Sequence, residues 1–203
     1  MSRIDRENAV VRRFDFEIRS AELNAENPQE MIVEGYAVRF NSPTVLFEFE
    51  GVEYFEEIAA DAFADTRMSD VIFNYNHGGK VLARTRNNTL ELLVDEKGLF
   101  IRAHLEGTAE GRALYEEIKG GYIDRMSFKF TIAEEEYDEI SRKWTIKKVK
   151  RLYDVSAVDI PAYDDTSISA RKEFLEADAQ KRIAHENAVA ALERARLELK
   201  TKF

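Results

Sequence analysis

Between residues 31 and 168 the apolar side chains recur at every second position in short runs, each cut off by glycine, proline or an Asn/Asp turn. A period of two is the spacing of side chains along one face of a β-strand. Tyr36, Val38 and Phe40 alternate with Gly35, Ala37 and Arg39 until Asn41-Ser42-Pro43 ends the run. Val71, Phe73, Tyr75 and His77 share a face of the next run, which stops at Gly78-Gly79. Leu90, Leu92 and Val94 lead into Asp95-Glu96-Lys97-Gly98, a hairpin-like turn, and Leu99, Ile101, Ala103 and Leu105 return from it. Phe128, Phe130 and Ile132 occupy one face of a further strand, with Ser127, Lys129 and Thr131 on the other. Residues 144–149 and 152–160 complete the set. Thr108 is placed to cap a short helix that points Leu114, Tyr115 and Ile118 inward and stops at Gly120-Gly121. Roughly eight short strands with one or two helices predict a mainly β fold closed, or nearly closed, into a barrel.

The flanks differ from this middle. Residues 1–30 form a polar N-terminal arm with one strand signal, Phe14, Phe16 and Ile18, and a turn at 24–28. From Ser169, a candidate N-cap, to the end there is neither glycine nor proline. Leu175, Ala179, Ile183, Ala190 and Leu199 make a thin apolar stripe on a predicted helix of about 30 residues. A helix that long is expected to meet a partner or another copy, or else to pack back on the barrel. The predicted organisation is therefore an arm (1–30), a barrel domain (31–168) and a helical extension (169–203). The run Glu134-Glu135-Glu136-Tyr137-Asp138-Glu139 reads as a solvated hairpin between strands.

Composition narrows the chemistry. A chain of 203 residues buries roughly 70% of its unfolded surface and needs no staples. There is no cysteine, which removes disulfides, thiolate metal sites and cysteine nucleophiles. Three histidines are too few for a convincing histidine metal centre, and no metal or cofactor is predicted. A net charge of −9 argues against nucleic-acid binding. No apolar run approaches the roughly 20 residues of a membrane span, and the charged start Met1 to Glu7 lacks the pattern of a signal peptide. A soluble intracellular protein is expected.

Nucleophilic hydrolysis without cysteine needs a serine or threonine activated by a nearby base. His185 falls in the charged C-terminal helix and reads as a surface residue. His104 alternates with Phe100 and Arg102 on a strand and has no special context. His77 lies where the chain leaves a strand, in Asn74-Tyr75-Asn76-His77-Gly78-Gly79. Ser127 starts a strand with its hydroxyl on the face away from Phe128 and Phe130. No G-x-S-x-G elbow is present, so an α/β-hydrolase is excluded. Asp154 falls on the same predicted face as Leu152, Ser156 and Val158, where a carboxylate needs a partner. A histidine N–H is one such partner, and backbone donors are another.

The order of these signals resembles the tailed-phage prohead protease family, serine peptidases that mature viral capsids. The matching segments are Val33-Glu-Gly-Tyr-Ala-Val-Arg-Phe-Asn41, Glu56-Glu-Ile-Ala-Ala-Asp-Ala-Phe63, Asn76-His77, Asp95-Glu-Lys-Gly-Leu99 and residues 108–111. They continue with Gly121-Tyr-Ile-Asp-Arg-Met-Ser127-Phe-Lys-Phe130 and Tyr153-Asp-Val-Ser-Ala-Val-Asp-Ile-Pro-Ala-Tyr163. The family is similar to the herpesvirus assembly proteases, so the resemblance implies a seven- or eight-stranded herpesvirus-assemblin-like barrel wrapped by helices. It implies Ser127 as nucleophile, His77 as general base and Asp154 as the acidic third member, with Asp159 a lesser candidate. Gly78 stands where the family often has Asp, and Asp154 where it often has Glu. The oxyanion donors stay open among backbone N–H groups beside Ser127, Arg125 and Arg151.

The implied activity is that of an endopeptidase, from a phage or prophage, acting inside the assembling prohead in the host cytoplasm. Its implied partners are the major capsid protein with its scaffolding segment, and further copies of itself as a dimer or larger assembly. Self-cleavage is implied as well. The rival readings are a proteolytically silent scaffolding protein on the same barrel and a plain β-barrel binding module.

Overall fold

The computed structural model describes residues 9–21, 30–159 and 172–200. The turn expected at 24–28 and the N-cap expected at Ser169 lie outside them. Ten strands form one sheet among the described residues: β1 (Val10–Ser20), β2 (Ile32–Arg39), β3 (Thr44–Phe49), β4 (Val52–Ile58) and β5 (Ile72–Tyr75), then β6 (Gly78–Arg84), β7 (Leu90–Val94), β8 (Gly98–His104), β9 (Arg125–Asp138) and β10 (Lys143–Val158). Helix α1 spans Ala109–Lys119 and α2 spans Lys172–Lys200. Strands dominate, as the alternation predicts.

The strand order is β3-β4-β10-β9-β1-β2-β8-β7, with β5 branching off to pair β10 and β6. The barrel expectation is corrected here, because this path is open. β3 pairs with β4 and β7 with β8, and no ladder joins β3 to β7 among the described residues. The reason lies in β10, whose 16 residues run beside β9 while its other edge is taken in series by two short parallel strands. β4 pairs Lys143–Ile146 and β5 pairs Asp154–Ala157. The two strands expected over 144–160 are thus one bulged strand. The acidic run lies in the β9–β10 hairpin, as expected: β9 continues through it to Asp138, its glutamates are exposed, and Glu134 and Glu136 pair with Lys148 and Lys147 at 3.0 and 3.4 Å. Strand β1 lies inside the sheet, its first half on β9 and its second half on β2, with a register break between Phe14 and Glu17.

Local signals hold at several positions. The Thr108 hydroxyl accepts from the Gly111 N–H at 2.9 Å, which caps α1, and α1 buries Leu114, Tyr115 and Ile118. The Asp95 carboxylate accepts from the N–H groups of Lys97 and Gly98 at 2.8 and 3.0 Å, closing the β7–β8 turn. Gly98 cannot carry a side chain, since a Cβ there would sit 1.8 Å from the Val38 carbonyl oxygen.

The main core joins Val33, Val38, Leu99 and Ile101 from β2 and β8 to Met126, Phe128 and Phe130 from β9 and Leu152, Val155 and Ala157 from β10. Phe128 and Phe130 stack at 4.7 Å. Phe47, Tyr54 and Trp144 build a second apolar cluster. Helix α2 docks beside it: the Tyr54 hydroxyl donates to Asp178 at 2.8 Å, both residues being buried, and Lys181 pairs with Glu139 at 2.8 Å. Ile183, Val189 and Leu192 further along α2 are exposed.

Burial and the neighbouring Asp178 carboxylate push the Tyr54 phenol up to about 12, and burial pushes Tyr137 up as well. A raised phenol pKa favours folding while both states are neutral, and that share is lost as the unfolded chain ionises first. The share that these two tyrosines contribute to stability is therefore expected to be constant up to about pH 10 and to fall from there toward pH 12. Tyr54→Phe is expected to cost about 1.5–3 kcal/mol at neutral pH by removing a bond to a carboxylate. It should also flatten part of the alkaline slope. Urea titrations across this pH range check both.

Candidate active site

β9, β10 and the β5–β6 turn bring the candidate residues together. Ser127 on β9 stands directly opposite Ser156 on β10, and Ser156 in turn pairs with Asn74 on β5. Met126, Phe128 and Phe130 face the core, so Ser127 takes the other face, as its position in the alternation predicts.

Asp154 reaches that face by a bulge. Leu152 pairs with Phe130 and Asp154 with Lys129, leaving Tyr153 as an extra residue. One inserted residue reverses the side-chain parity of a strand. Leu152 accordingly joins Val155 and Ala157 in the core, while Asp154 points with Ser156 toward the site. The shared face expected for Leu152 and Asp154 is corrected by this bulge.

His77 also differs from its predicted place. It is the second residue of a two-residue turn, not the end of a strand, because Tyr75 pairs with Gly78. Asn76 and His77 both have positive φ, 50° and 56°, the backbone of a hairpin turn whose twist suits the flanking strands. Non-glycine residues pay for that conformation, Asn and His less than most. The turn is held by the Asn76 N–H on the Ala157 carbonyl at 3.0 Å and the His77 N–H on the Ser156 hydroxyl at 3.3 Å.

The resulting line is short and buried. His77 Nε2 lies 2.6 Å from Ser127 Oγ, and Nδ1 lies 2.5 Å from Asp154 Oδ1. The His77 and Asp154 side chains are 9% and 8% exposed, and Ser127 is fully buried. An ionised carboxylate on Nδ1 keeps the ring proton there and leaves Nε2 free to accept from a hydroxyl. The Ser127 hydroxyl also reaches the Arg12 carbonyl at 2.8 Å, so its single proton has two acceptors. Arg12 itself sends its guanidinium to Glu56 at 2.5 Å, a buried pair. This arrangement is chemically equipped to deprotonate a serine as it attacks an electrophile.

The other candidates lie elsewhere. Asp159 accepts from the Tyr75 hydroxyl at 2.9 Å. His104 sits 3.6 Å from each of Glu91 and Glu106, and His185 is exposed on α2. The Arg151 guanidinium stacks over Tyr153, and Arg125 lies 3.7 Å from Asp124. Sequence reasoning missed two residues, Ser156 and Asn74, whose side chains touch each other beside the His77–Asp154 contact. The face shared by Asp154 and Ser156 was a signal for the first; nothing local marks the second. Among the described residues no group of three or more His, Asp or Glu side chains is arranged to hold a metal. A cavity of about 530 Å³ lies against the turn, lined by Tyr75, Asn76 and Leu82 and by Ala113, Leu114 and Glu117 of α1.

Residues 14–181 match the family described as caudovirus prohead serine protease. The chain is 26% identical over 165 residues to the prohead protease of Enterobacteria phage HK97, covering 80% of this chain and 69% of that protein. A solved structure, the bacteriophage T4 capsid assembly protease, overlays with a TM-score of 0.41 at 10% identity, covering 74% of this chain and 97% of that one.

Because the turn positions the imidazole, replacing Asn76 by alanine is expected to cost about 1–2 kcal/mol while Asn76→Gly is tolerated. Thermal melts of the two variants compare them.

Proposed function

The chain belongs to the caudovirus prohead serine proteases, and on that premise we propose that it is an endopeptidase whose nucleophile is Ser127, general base His77 and orienting acid Asp154. The observation that carries this reading is the Ser127 Oγ–His77 Nε2–Nδ1–Asp154 line at 2.6 and 2.5 Å. Ser127 Oγ attacks a peptide carbonyl carbon as its proton passes to Nε2. The imidazolium then gives that proton to the leaving amine, which departs as the C–N bond breaks. Water, deprotonated by the same nitrogen, hydrolyses the acyl-enzyme and returns Ser127. Asp154 stabilises the imidazolium between these steps and holds the ring in the productive tautomer.

The substrate in this reading is the major capsid protein, cut at its scaffolding segment inside the assembling prohead, with self-cleavage and self-association as further parts of the proposal. The cavity beside the His77 turn supports a seat for a substrate side chain, with Leu82, Ala113 and Leu114 supplying apolar contacts.

Co-expression with the cognate capsid protein tests the assignment. Wild-type chain is expected to shorten the capsid protein, and Ser127→Ala and His77→Ala to leave it whole. Asp154→Asn should retain folding and lose about 10⁴-fold in rate through the wrong tautomer. Identical cleavage by wild type and Ser127→Ala would reject the nucleophile. For the cavity, Ala113→Trp is expected to raise KM for the capsid substrate with kcat little changed, because Ala113 is exposed and its replacement fills space without disturbing the core. An unchanged KM removes the cavity from the substrate path.

A further inference from the structure

We infer that Ser156, backed by Asn74, is a positioning residue that holds Asp154 and His77 in their working geometry; this rests on the triad proposed above. Ser156 is fully buried and Asn74 nearly so. The Ser156 hydroxyl lies 3.1 Å from Asp154 Oδ1, 3.1 Å from His77 Nδ1 and 3.3 Å from the His77 backbone N–H, and it touches the Asn74 side-chain amide. Every group that faces it is therefore a triad member or the backbone of one, apart from Asn74.

Proton counting gives the direction of the network. A hydroxyl has one proton and two acceptor lone pairs. Were that proton spent on Asn74 Oδ1, the Ser156 oxygen would face the Asp154 carboxylate lone pair to lone pair. Turning the amide over, a choice left to the hydrogen-bond network, presents Asn74 Nδ2–H to the hydroxyl instead. Ser156 then accepts from Asn74 and from the His77 N–H and donates to Asp154 Oδ1. All of its capacity is used, and Asp154 Oδ1 receives two donors, Ser156 O–H and His77 Nδ1–H. The hydroxyl sits beside the His77–Asp154 contact, within reach of both of its atoms, and the strained turn is tied to the same hydroxyl oxygen. Ser156 is no second nucleophile, because it meets the imidazole at Nδ1, the nitrogen that carries its proton to Asp154, while Ser127 meets Nε2.

Displacing a catalytic group by about an ångström costs on the order of 100-fold. Ser156→Ala is thus expected to slow labelling of full-length protein by a serine-directed fluorophosphonate by about 10- to 100-fold. The melting temperature should fall, because buried donors lose their acceptor, so labelling is compared well below both melts; the downfield NMR resonance of the His77 Nδ1–H should move or broaden. Ser156→Thr, which keeps the hydroxyl, should recover most of the labelling rate. Should Ser156→Ala not fold, Asn74→Ala provides the same two readouts with the hydroxyl left unsupported, and a smaller slowing is expected. Wild-type labelling and an unmoved resonance in whichever variant folds overturn the inference. Ser127→Ala separates this failure from that of the triad: abolished labelling there with normal labelling in Ser156→Ala sinks the positioning role alone, whereas persistent labelling in Ser127→Ala sinks the nucleophile.

Discussion

Backbone pairing of β10 with β9 on one edge and with β5 on the other is the constraint from which the site follows. The two ladders bring Ser127, Ser156 and Asn74 into one row across three strands. The His77 turn closes the end of β5 and donates its own backbone to β10. Such ladders are stiff and set side-chain spacing to a fraction of an ångström, which is what a proton relay requires. A single inserted residue, Tyr153, then decides which way Asp154 points. Without the bulge the carboxylate would share the core face of Leu152, where an unpaired charge is expensive; with it, the carboxylate meets an imidazole and a hydroxyl.

Further charge is buried within the sheet. Arg12 and Glu56 pair in the interior, and the Arg12 carbonyl is an acceptor for the Ser127 hydroxyl. The backbone of β1 therefore stands against the Ser127 hydroxyl, and its attachment through a buried ion pair to β4 links that strand's position to the hydroxyl. Breaking one member of such a pair is far more damaging than replacing both by apolar groups. Two residues before Glu56 on β4, the Tyr54–Asp178 bond anchors α2 to an aromatic cluster while Ile183, Val189 and Leu192 remain exposed.

Much of the fold was legible because alternation and capping act over a few residues. The β7–β8 hairpin, the Thr108-capped helix and the opposed faces of Phe128 and Ser127 are all local matters. What failed was mainly what depends on partners distant in the chain. The barrel stayed open because two short strands share one edge of β10; the strand expected to end in His77 turns two residues earlier for a local reason, the positive φ of Asn76 and His77, which alternation does not mark. In the site, Ser127, His77 and Asp154 were singled out by exclusion and by family resemblance, and Asn74 not at all. An asparagine on a strand looks the same in sequence whether it faces water or a buried serine.

The amino-acid sequence by itself determined that this chain is mainly β with a helical end, that its chemistry excludes thiols, and that Ser127 lies opposite its core-facing neighbours. The tertiary structure alone decided that Asp154 turns out of the core, that His77 adopts a left-handed turn, and that Ser156, touching Asn74, reaches both of them. The division has one physical cause. Side-chain alternation is written into consecutive residues, whereas the bulge exists only against the paired strand β9, and the buried hydrogen-bond network only once β10 has paired with β5, its partners lying 77 to 82 positions apart in the chain.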